Sequence, residues 1–285
     1  ALRSTGRVGP GHRLFRPGAD SFLEGPAFDR HGALYVVDIL NGRVLCVTPV
    51  GGLDVVAEYD GEPNGLAIHE DGRLFIADYR RGLLTLEPRA GRLTPLLADL
   101  HGQPFHGLND LVFARNGDLY FTDQGQTGLQ DPRGRLCRLT VGGRLDVILD
   151  NVPSPNGVAL SPDETLLYLA VTRANAIWRV PLLPEGRPAR VGVFLQLSGG
   201  LAGPDGLAVD DEGNVAVAHA GLGVVWVFDR LGQPLYRIDS CRGLMTTNVS
   251  WFPGRRTIYI TESETGSILQ ASLPGTGAAR REERA

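Results

Sequence analysis

Glu24-Gly25-Pro26-Ala27-Phe28 is the first of six copies of one short phrase in this chain of 285 residues. Each copy begins with a polar residue, usually followed by glycine and by small or apolar residues. The other five copies are Asn64-Gly65-Leu66-Ala67-Ile68, Asn109-Asp110-Leu111-Val112-Phe113, Asn156-Gly157-Val158-Ala159-Leu160, Asp205-Gly206-Leu207-Ala208-Val209 and Thr247-Asn248-Val249-Ser250-Trp251. Their first residues are 40, 45, 47, 49 and 42 positions apart. A repeat of this period indicates a closed or stacked array of similar units.

The segments between the copies predict the structure of one unit. In the second unit the phrase is followed by a turn at Asp71-Gly72 and by three more short β-type segments, RLFIAD (73–78), GLLTLEP (82–88) and LTPLLAD (93–99). These are alternating or apolar runs bounded by turn residues, and no helical period extends beyond about two turns. Four strands in a unit of about 45 residues are typical of a β-propeller blade. The sequence therefore predicts an all-β fold, a six-bladed β-propeller with four-stranded blades.

The two ends of the chain complete this prediction. The sixth unit has no fourth strand after SILQASL (267–273), whereas His12 to Arg16 precede the first phrase as a candidate strand. We expect this N-terminal strand to close the last blade, because closure removes a free sheet edge. The whole chain, 1–285, is then one propeller domain with a core from about 12 to 273. The polar residues 275–285 are expected to form a mobile tail.

Bulk composition excludes several classes of function. A net charge of −4 gives no basic footprint for nucleic acid. No apolar run reaches the roughly 18 residues that cross a membrane, so no membrane partner is expected. The three cysteines, Cys46, Cys137 and Cys241, are widely spaced and form no metal-binding motif. These features favour a cytoplasmic protein, and we expect a monomer or a weak homo-oligomer.

The first residues of the six phrases share a chemical property, because all of their side chains carry oxygen atoms. The innermost strand of a blade follows the central channel, so these residues are expected to form a ring at one mouth of the channel. Glu24 and Asp205 supply carboxylates, whereas Asn64, Asn109 and Asn156 supply amide oxygens. Oxygen ligands of this kind suit Ca²⁺, and the absence of His and Cys disfavours a structural zinc site. Asn-Gly and Asp-Gly are also ordinary turn formers, which is the alternative interpretation of each copy alone.

Longer motifs around the phrases resemble a known family. The motifs are EGPAF (24–28), FHGLND (105–110), SPNGVALSPDETLLY (154–168) and GPDGLAVDDEGNVAVA (203–218). Their order and spacing are similar to those of the SMP-30/gluconolactonase/LRE-like family of lactonases, with diisopropyl fluorophosphatase as a more distant relative. The resemblance covers about residues 12 to 273.

The resemblance implies a six-bladed propeller with one catalytic divalent metal ion in the channel. By matching motifs, Glu24, Asn156 and Asp205 would be its ligands, and Asn109 would bind the metal or the substrate. Asp205 would also act as the general base or the nucleophile. Ca²⁺ is the expected ion, with Zn²⁺, Mn²⁺, Mg²⁺ and Fe²⁺ as alternatives.

Further polar residues are candidates for contacts with a small-molecule lactone. His106 precedes Asn109 in the loop into the third unit and would bind substrate oxygen or carry a proton, unless it only caps the loop. His219 follows a strand of the fifth unit and has a structural alternative as well. The remaining candidates for the pocket are Asn64, Gln124 and Arg242 for substrate binding, with Tyr79 and Arg173 among other lining residues.

Three functions are consistent with these observations. The first is a metal-dependent hydrolase that opens a lactone, either of a sugar acid or of a more apolar acid. The second keeps the same site but hydrolyses organophosphates or other activated esters. The third is a non-catalytic propeller that binds a partner on its rim. The mixed ring of Glu, Asn and Asp, together with the absence of a Gly-x-Ser-x-Gly motif, favours the first function.

Overall fold

A computed structural model of the protein describes residues 20–48 and 51–274. These residues form 25 β-strands and one short 3₁₀ turn, Thr172–Ala174. Blade one consists of β1 (Leu23–Phe28), β2 (Leu34–Asp38), β3 (Arg43–Val47) and β4 (Leu53–Glu58). Blade two consists of β5 (Pro63–Ile68), β6 (Leu74–Asp78), β7 (Gly82–Glu87) and β8 (Arg92–Leu97). A small hairpin follows, formed by β9 (Asp99–Leu100) and β10 (Gln103–Pro104).

The remaining blades repeat this plan. Blade three consists of β11 (Leu108–Phe113), β12 (Leu119–Asp123), β13 (Gly134–Leu139) and β14 (Leu145–Val152). Blade four consists of β15 (Pro155–Leu160), β16 (Leu166–Val171), β17 (Ala176–Pro181) and β18 (Gly192–Gln196). Blade five consists of β19 (Gly203–Val209), β20 (Val215–Ala220), β21 (Val224–Phe228) and β22 (Pro234–Asp239). Blade six consists of β23 (Thr246–Trp251), β24 (Thr257–Glu262) and β25 (Ser267–Ser272) within the described residues.

The strands of each blade pair antiparallel in chain order. The first strands of successive blades contact one another, in the order β1, β5, β11, β15, β19, β23 and back to β1. This ring of innermost strands confirms the six-bladed propeller, with four strands in each of the first five blades. The hairpin β9–β10 was not expected from the sequence.

Side chains of blade six join it directly to blade one. The hydroxyl groups of Thr247 and Ser263 both donate to the Leu23 carbonyl oxygen, at 3.2 and 2.6 Å. The Asn248 amide donates to Glu24 Oε2 at 2.9 Å. The predicted closing strand, His12 to Arg16, and the predicted tail, 275–285, lie outside the described residues. The contacts of β23 and β24 with β1 are therefore what closes the ring in the described chain.

Apolar side chains form clusters between neighbouring blades, as when Val158 of β15 packs with Tyr120 and Leu136 of blade three. Such interfaces bury both faces of each small sheet and provide the hydrophobic stabilisation of the ring. No helix in the described part of the chain has the length and apolar character needed to cross a lipid bilayer. All three cysteines are unpaired, as expected.

Each innermost strand is irregular at the start of its phrase. The register between first and second strands shifts between Glu24 and Ala27, between Pro155 and Val158, and at the equivalent places of the other four blades. An irregularity of this kind turns a side chain away from the regular alternation of a strand. The polar side chain at the start of each phrase therefore does not point into the apolar face that packs between blades.

The glycine of the phrase is required by the close approach of neighbouring innermost strands. A Cβ atom on Gly65 would lie 2.6 Å from the carbonyl oxygen of Asn109 and from the Cα of Asp110. A Cβ on Gly157 would lie 2.6 Å from the carbonyl oxygen of Asp205. These neighbours are backbone atoms of the next blade, so they move only if the ring itself adjusts.

Replacing Gly65 by alanine is therefore expected to destabilise the protein. The overlap with the backbone at Asn109 is an overpacking defect, for which a loss of about 2 kcal/mol in the free energy of unfolding is typical. Chemical denaturation monitored by tryptophan fluorescence would measure it. The matched control is Gly192→Ala in β18, because a Cβ there would meet no atom within 4 Å. Equal stabilities of the two variants would contradict a packing role for the phrase glycine.

Candidate active site in the central channel

Four polar residues stand at the start of the phrases in blades one, three, four and five, on the innermost strands. Glu24, Asn109 and Asn156 are buried, with 4%, 6% and 6% of their surface exposed. Asp205 is only partly buried. The side chain of Asn156 hydrogen-bonds to the Asp205 carboxylate, and the charges of Asp205 and Glu24 act on each other. The structure thus brings together Glu24, Asn156 and Asp205, which the sequence predicted as metal ligands.

Glu24 is held in place by its own backbone and by blade six. Its Oε2 accepts the Gly25 N–H at 2.9 Å and the Asn248 amide at 2.9 Å. Burial raises the pKa of Glu24 well above the usual range, and the nearby Asp205 raises it further, whereas the two hydrogen bonds oppose this rise. Glu24 is therefore a carboxylate that the protein holds in a setting unfavourable to its negative charge.

Burial raises the pKa of Asp205 as well, to about 7. The hydrogen bond from Asn156 lowers this pKa, the charge of Asp110 raises it, and the charge of Arg173 lowers it. A carboxyl group with this pKa exchanges protons near neutral pH. Because Asp205 is also partly exposed, it is placed to meet a molecule that enters the channel mouth.

Asp110 is a functional candidate that the sequence analysis missed. It is 7% exposed, and burial raises its pKa to about 7. Its two carboxylate oxygens accept the backbone N–H groups of Leu111 at 2.9 Å and of Val158, in the next blade, at 3.1 Å. A signal was available, because the second position of the phrase holds glycine in four copies and departs from it only at Asp110 and Asn248.

Asn109 belongs to a chain of hydrogen bonds that fixes its amide group. Its Nδ2 donates to Gln124 Oε1 at 2.9 Å, and Gln124 Nε2 donates to Ser154 Oγ at 2.9 Å. The Thr127 hydroxyl ties the same loop to blade four, since it accepts the Ser154 N–H at 3.0 Å. The amide nitrogen of Asn109 is thus engaged with Gln124, and the amide oxygen, Oδ1, is the atom of Asn109 that can accept a hydrogen bond or bind a cation.

A cavity of about 500 Å³ lies at the channel mouth. We call it the mouth cavity, and its lining residues are Asn64, Tyr79, Gln124, Gly125, Gln126, Thr127, Gly128, Leu129, Gln130, Ser154 and Arg173. A second cavity of about 440 Å³ follows the channel along the innermost strands and includes Asp110 and Asn248 in its lining. Asn64 lines the mouth cavity, whereas Gly25, Asp110 and Asn248 line the second cavity, so the ring of polar residues lies between the two cavities. We call this ring the floor of the mouth cavity.

Two larger cavities lie at the opposite face of the propeller. One of about 750 Å³ lies between blades one and two, and one of about 670 Å³ lies between blades three and four. Neither is lined by the first residue of any phrase. The mouth cavity is lined by Asn64, by Gln124, which hydrogen-bonds to Asn109, and by Arg173, whose charge acts on Asp205. Because catalysis needs a cavity next to reactive groups, the mouth cavity is the better candidate despite its smaller volume.

The predicted substrate-binding residues separate into two groups. Asn64 and Gln124 line the mouth cavity. His106 and Arg242 are exposed and are not part of its lining; His106 Nδ1 lies 4.0 Å from Asp123 Oδ2. His219 is fully buried, with Nε2 3.2 Å from the Gly199 carbonyl oxygen and Nδ1 accepting from Trp226 at 3.3 Å. This placement favours the structural alternative for His219.

The donor groups on the floor fit a hard divalent cation. No three His, Cys, Asp or Glu side chains in residues 20–48 and 51–274 are grouped closely enough to hold a metal alone. A site here would therefore combine carboxylates with amide oxygens, the mixture that Ca²⁺ accepts. The raised pKa values of Glu24 and Asp205 point the same way, because a cation between them would compensate their charges.

Comparisons with known proteins agree with this geometry. Lactonase drp35 of Staphylococcus aureus (strain MRSA252) is 30% identical over 268 residues, which cover 87% of this chain and 81% of the relative. Lactonase drp35 of Staphylococcus epidermidis (strain ATCC 12228) is 29% identical over 270 residues, 87% of this chain and 82% of the relative.

Solved structures give a consistent result. A gluconolactonase from Xanthomonas campestris superposes with a TM-score of 0.79 at 26% identity, covering 96% of this chain and 98% of its own. The calcium-binding protein regucalcin from Agrobacterium tumefaciens superposes with a TM-score of 0.73 at 26% identity, covering 92% of this chain and 87% of its own. A sequence model of the SMP-30/Gluconolactonase/LRE-like region matches residues 22–272, and the chain therefore belongs to this family.

Proposed function

We propose that the protein is a lactonase that opens a cyclic ester by hydrolysis with the help of one divalent cation. The observation that carries the proposal is a group of three carboxylates next to a polar cavity, in which Glu24 and Asp110 are buried and Asp205 is partly exposed. The lactonase and gluconolactonase relatives support the reaction class.

Glu24, Asn109, Asn156 and Asp205 are the proposed ligands of the cation. The calcium-binding description of the regucalcin from Agrobacterium tumefaciens supports Ca²⁺ as the ion. When bound, such an ion polarises the ester carbonyl and lowers the pKa of a water molecule. Asp110, which already accepts two backbone N–H groups, fixes blade three against blade four at the same depth.

Asp205 is the proposed base. It is the most exposed of the four floor residues, and the pKa of about 7 in the metal-free protein shows how strongly its surroundings act on its charge. A carboxylate has two oxygens, so ligation through one leaves the other for proton transfer. Asp205 takes a proton from water, whose oxygen bonds to the carbonyl carbon. The ring C–O bond then breaks, and the departing ring oxygen receives the proton, which yields the open hydroxy acid.

Asn109 and the mouth cavity would position the substrate. Gln124 and Ser154 fix the amide of Asn109, so its available oxygen has a defined place on the floor. Asn64 and Gln124 contribute amide groups to the cavity wall, where hydroxyl or ester oxygens of a lactone would find hydrogen-bond partners.

Replacing Asp205 by asparagine is expected to abolish most of the lactonase activity. Loss of the base lowers kcat by about 10²- to 10⁴-fold, and loss of a ligand charge weakens Ca²⁺ binding. A pH-stat assay on a lactone panel would measure the first, and isothermal titration calorimetry with Ca²⁺ would measure the second. Removal of metal by a chelator should reduce the wild type to the same level, and added Ca²⁺ should restore it.

Asp211→Asn is the matched control, because Asp211 is an exposed residue in the turn that follows β19. Activity that is equal with and without divalent cation would overturn the metal-dependent mechanism. A phosphotriester tested in parallel would distinguish lactonase from organophosphate hydrolase activity. If neither substrate is hydrolysed and no cation binds, the protein is a binding module rather than this enzyme.

The pH dependence of stability offers an independent measurement on the metal-free protein. Asp110 and Asp205 have folded pKa values of about 7, above the value of about 4 expected in an unfolded chain. Their contribution to stability is therefore fully present below about pH 4 and is lost as the pH rises through 7. We expect the Tm of chelator-treated protein to fall between pH 5.5 and pH 8, and Ca²⁺ to raise it more at pH 8.

The variant Asp205→Asn isolates this effect. It removes the negative charge, so the chelator-treated variant should exceed the wild type in Tm at pH 8, and this difference should become smaller as the pH is lowered to 5.5. Burial lowers the pKa of His219, so this residue changes the stability with pH in the opposite direction. His219 is present in both proteins, and its effect therefore cancels when their Tm values are compared. A variant that is less stable than the wild type at pH 8 would show that the carboxylate does not strain the fold.

A further inference from the structure

The mouth cavity contains one strong positive charge and no negative one. Arg173 is the one basic residue among the described residues that line it. The other polar lining groups are amides and hydroxyls, which belong to Asn64, Tyr79, Gln124, Gln126, Thr127, Gln130 and Ser154. A lining of this composition suits a polyhydroxylated molecule with one acidic group.

The backbone around Arg173 is fixed. It lies in the 3₁₀ turn between β16 and β17, where the Thr172 N–H donates to the Ser154 carbonyl oxygen at 3.1 Å and the Thr172 hydroxyl donates to the Pro204 carbonyl oxygen at 2.8 Å. The amide of Gln196 donates to the Ala174 carbonyl oxygen at 3.1 Å. Arg173 therefore extends an exposed side chain from a turn that is tied to the strand carrying Asp205.

The guanidinium group of Arg173 has no ion-pair partner within the part of the chain that the structure describes. Other arginines of the neighbouring blade are paired, as Arg135 is with Asp123 and Arg138 with Asp146. The charge of Arg173 reaches the floor of the cavity, since it acts on Asp205. Once a divalent cation compensates the carboxylates of the floor, the mouth retains an uncompensated positive charge.

We propose that the substrate of this site is a lactone that carries an anionic substituent, and that Arg173 binds this substituent and determines the specificity. The proposal rests on the lactonase activity proposed above. Guanidinium forms charge-assisted, often bidentate hydrogen bonds with both carboxylate and phosphate. Carboxylate and phosphate are both oxyanions, so in either case Arg173 would bind an oxyanion of the substrate while the ester carbonyl lies next to the floor residues.

A pair of lactones that differ in one group tests the proposal. D-Glucaro-1,4-lactone and D-glucono-1,4-lactone differ only at C6, which is a carboxylate in the first and a hydroxymethyl group in the second. We expect the wild type to prefer the anionic lactone by about tenfold or more in kcat/KM, mainly through a lower KM. The preference should decrease between 20 mM and 500 mM salt, because exposed charges are screened.

Arg173→Gln removes the charge but keeps a hydrogen-bonding group. It should lower kcat/KM for the anionic lactone by about tenfold or more and change that for the neutral lactone by less than about threefold. Arg173→Lys should restore part of the preference. Arg89→Gln, an exposed residue on the opposite face, carries the same charge change and should leave both substrates unaffected.

Binding of the reaction products gives a readout without catalysis. Calorimetry should show that Arg173→Gln weakens the binding of D-glucarate, which has two carboxylates, and not that of D-gluconate, which has one. The preference for 6-phosphoglucono-1,5-lactone over glucono-1,5-lactone measures the gain from a phosphate. Its size relative to the preference within the 1,4-lactone pair, which measures the gain from a carboxylate, identifies the favoured anion.

Two results would overturn the proposal while lactonase activity stands. One is an equal loss on neutral and anionic lactones, with a shifted pH–rate profile, which would mean that Arg173 acts on Asp205 or on the carbonyl instead. The other is an unchanged preference in Arg173→Gln. A wild type that hydrolyses none of these lactones would instead count against the proposed function.

Discussion

The close packing of six innermost strands around one axis is the constraint on which the rest of the structure depends. Each of these strands approaches the backbone of the next blade so closely that Gly65 and Gly157 have no space for a Cβ atom. The same step of the chain carries the register irregularity of the strand. In the four blades whose phrase contains glycine, the need for this residue and the redirection of the preceding polar side chain therefore arise at the same step of the chain. The ring that closes the fold is also the ring that forms the floor of the candidate site.

This arrangement concentrates negative charge where solvent is scarce. Glu24, Asp110 and Asp205 are contributed by three different blades and cannot move apart without disturbing the packing between blades. Burial raises the pKa of all three, and repulsion from neighbouring carboxylates raises the pKa of Glu24 and Asp205 further. A rigid scaffold tolerates this local conflict because the apolar interfaces between blades stabilise it elsewhere. Conflict of this kind is characteristic of sites that hold cations or transfer protons.

The sequence alone predicted the propeller well because the repeat is visible without any knowledge of contacts. It also predicted that the first residues of the six phrases form a ring, since equivalent positions converge, and the family resemblance selected Glu24, Asn156 and Asp205 from this ring. Asp110 was missed because only the first position of each phrase was considered for chemistry, and Asp110 stands in the second. Its carboxylate accepts the Val158 N–H of the next blade and so ties blade three to blade four. Asp110 and its partner Val158 are 48 residues apart in the sequence. No local sequence pattern predicts a hydrogen bond over this separation.

Residues of the loops were harder to assign for a related reason. His219 lies near the end of β20, the second strand of its blade, and Arg173 lies two residues after the end of β16, the second strand of its blade, so their positions in the repeat are similar. Trp226 and the loop at Gly199 enclose the first, whereas a 3₁₀ turn directs the second to the mouth cavity. Packing between segments that are far apart in the chain decides which of the two side chains reaches the cavity. The repeat pattern does not contain this information.

The division between floor and rim has a consequence for the evolution of the site. The floor is built by the innermost strands, where a change in length or backbone position would open the ring. The rim is built by connections such as Gln124–Gln130 and the turn at Arg173, which touch the ring at a few hydrogen bonds and so tolerate substitution. A substitution on the rim can therefore change which lactone binds at little cost to the fold, whereas a substitution on the floor disturbs the ring itself. For this reason a charge on the rim without an ion-pair partner, such as that of Arg173, is a more direct indicator of specificity than a residue of the floor.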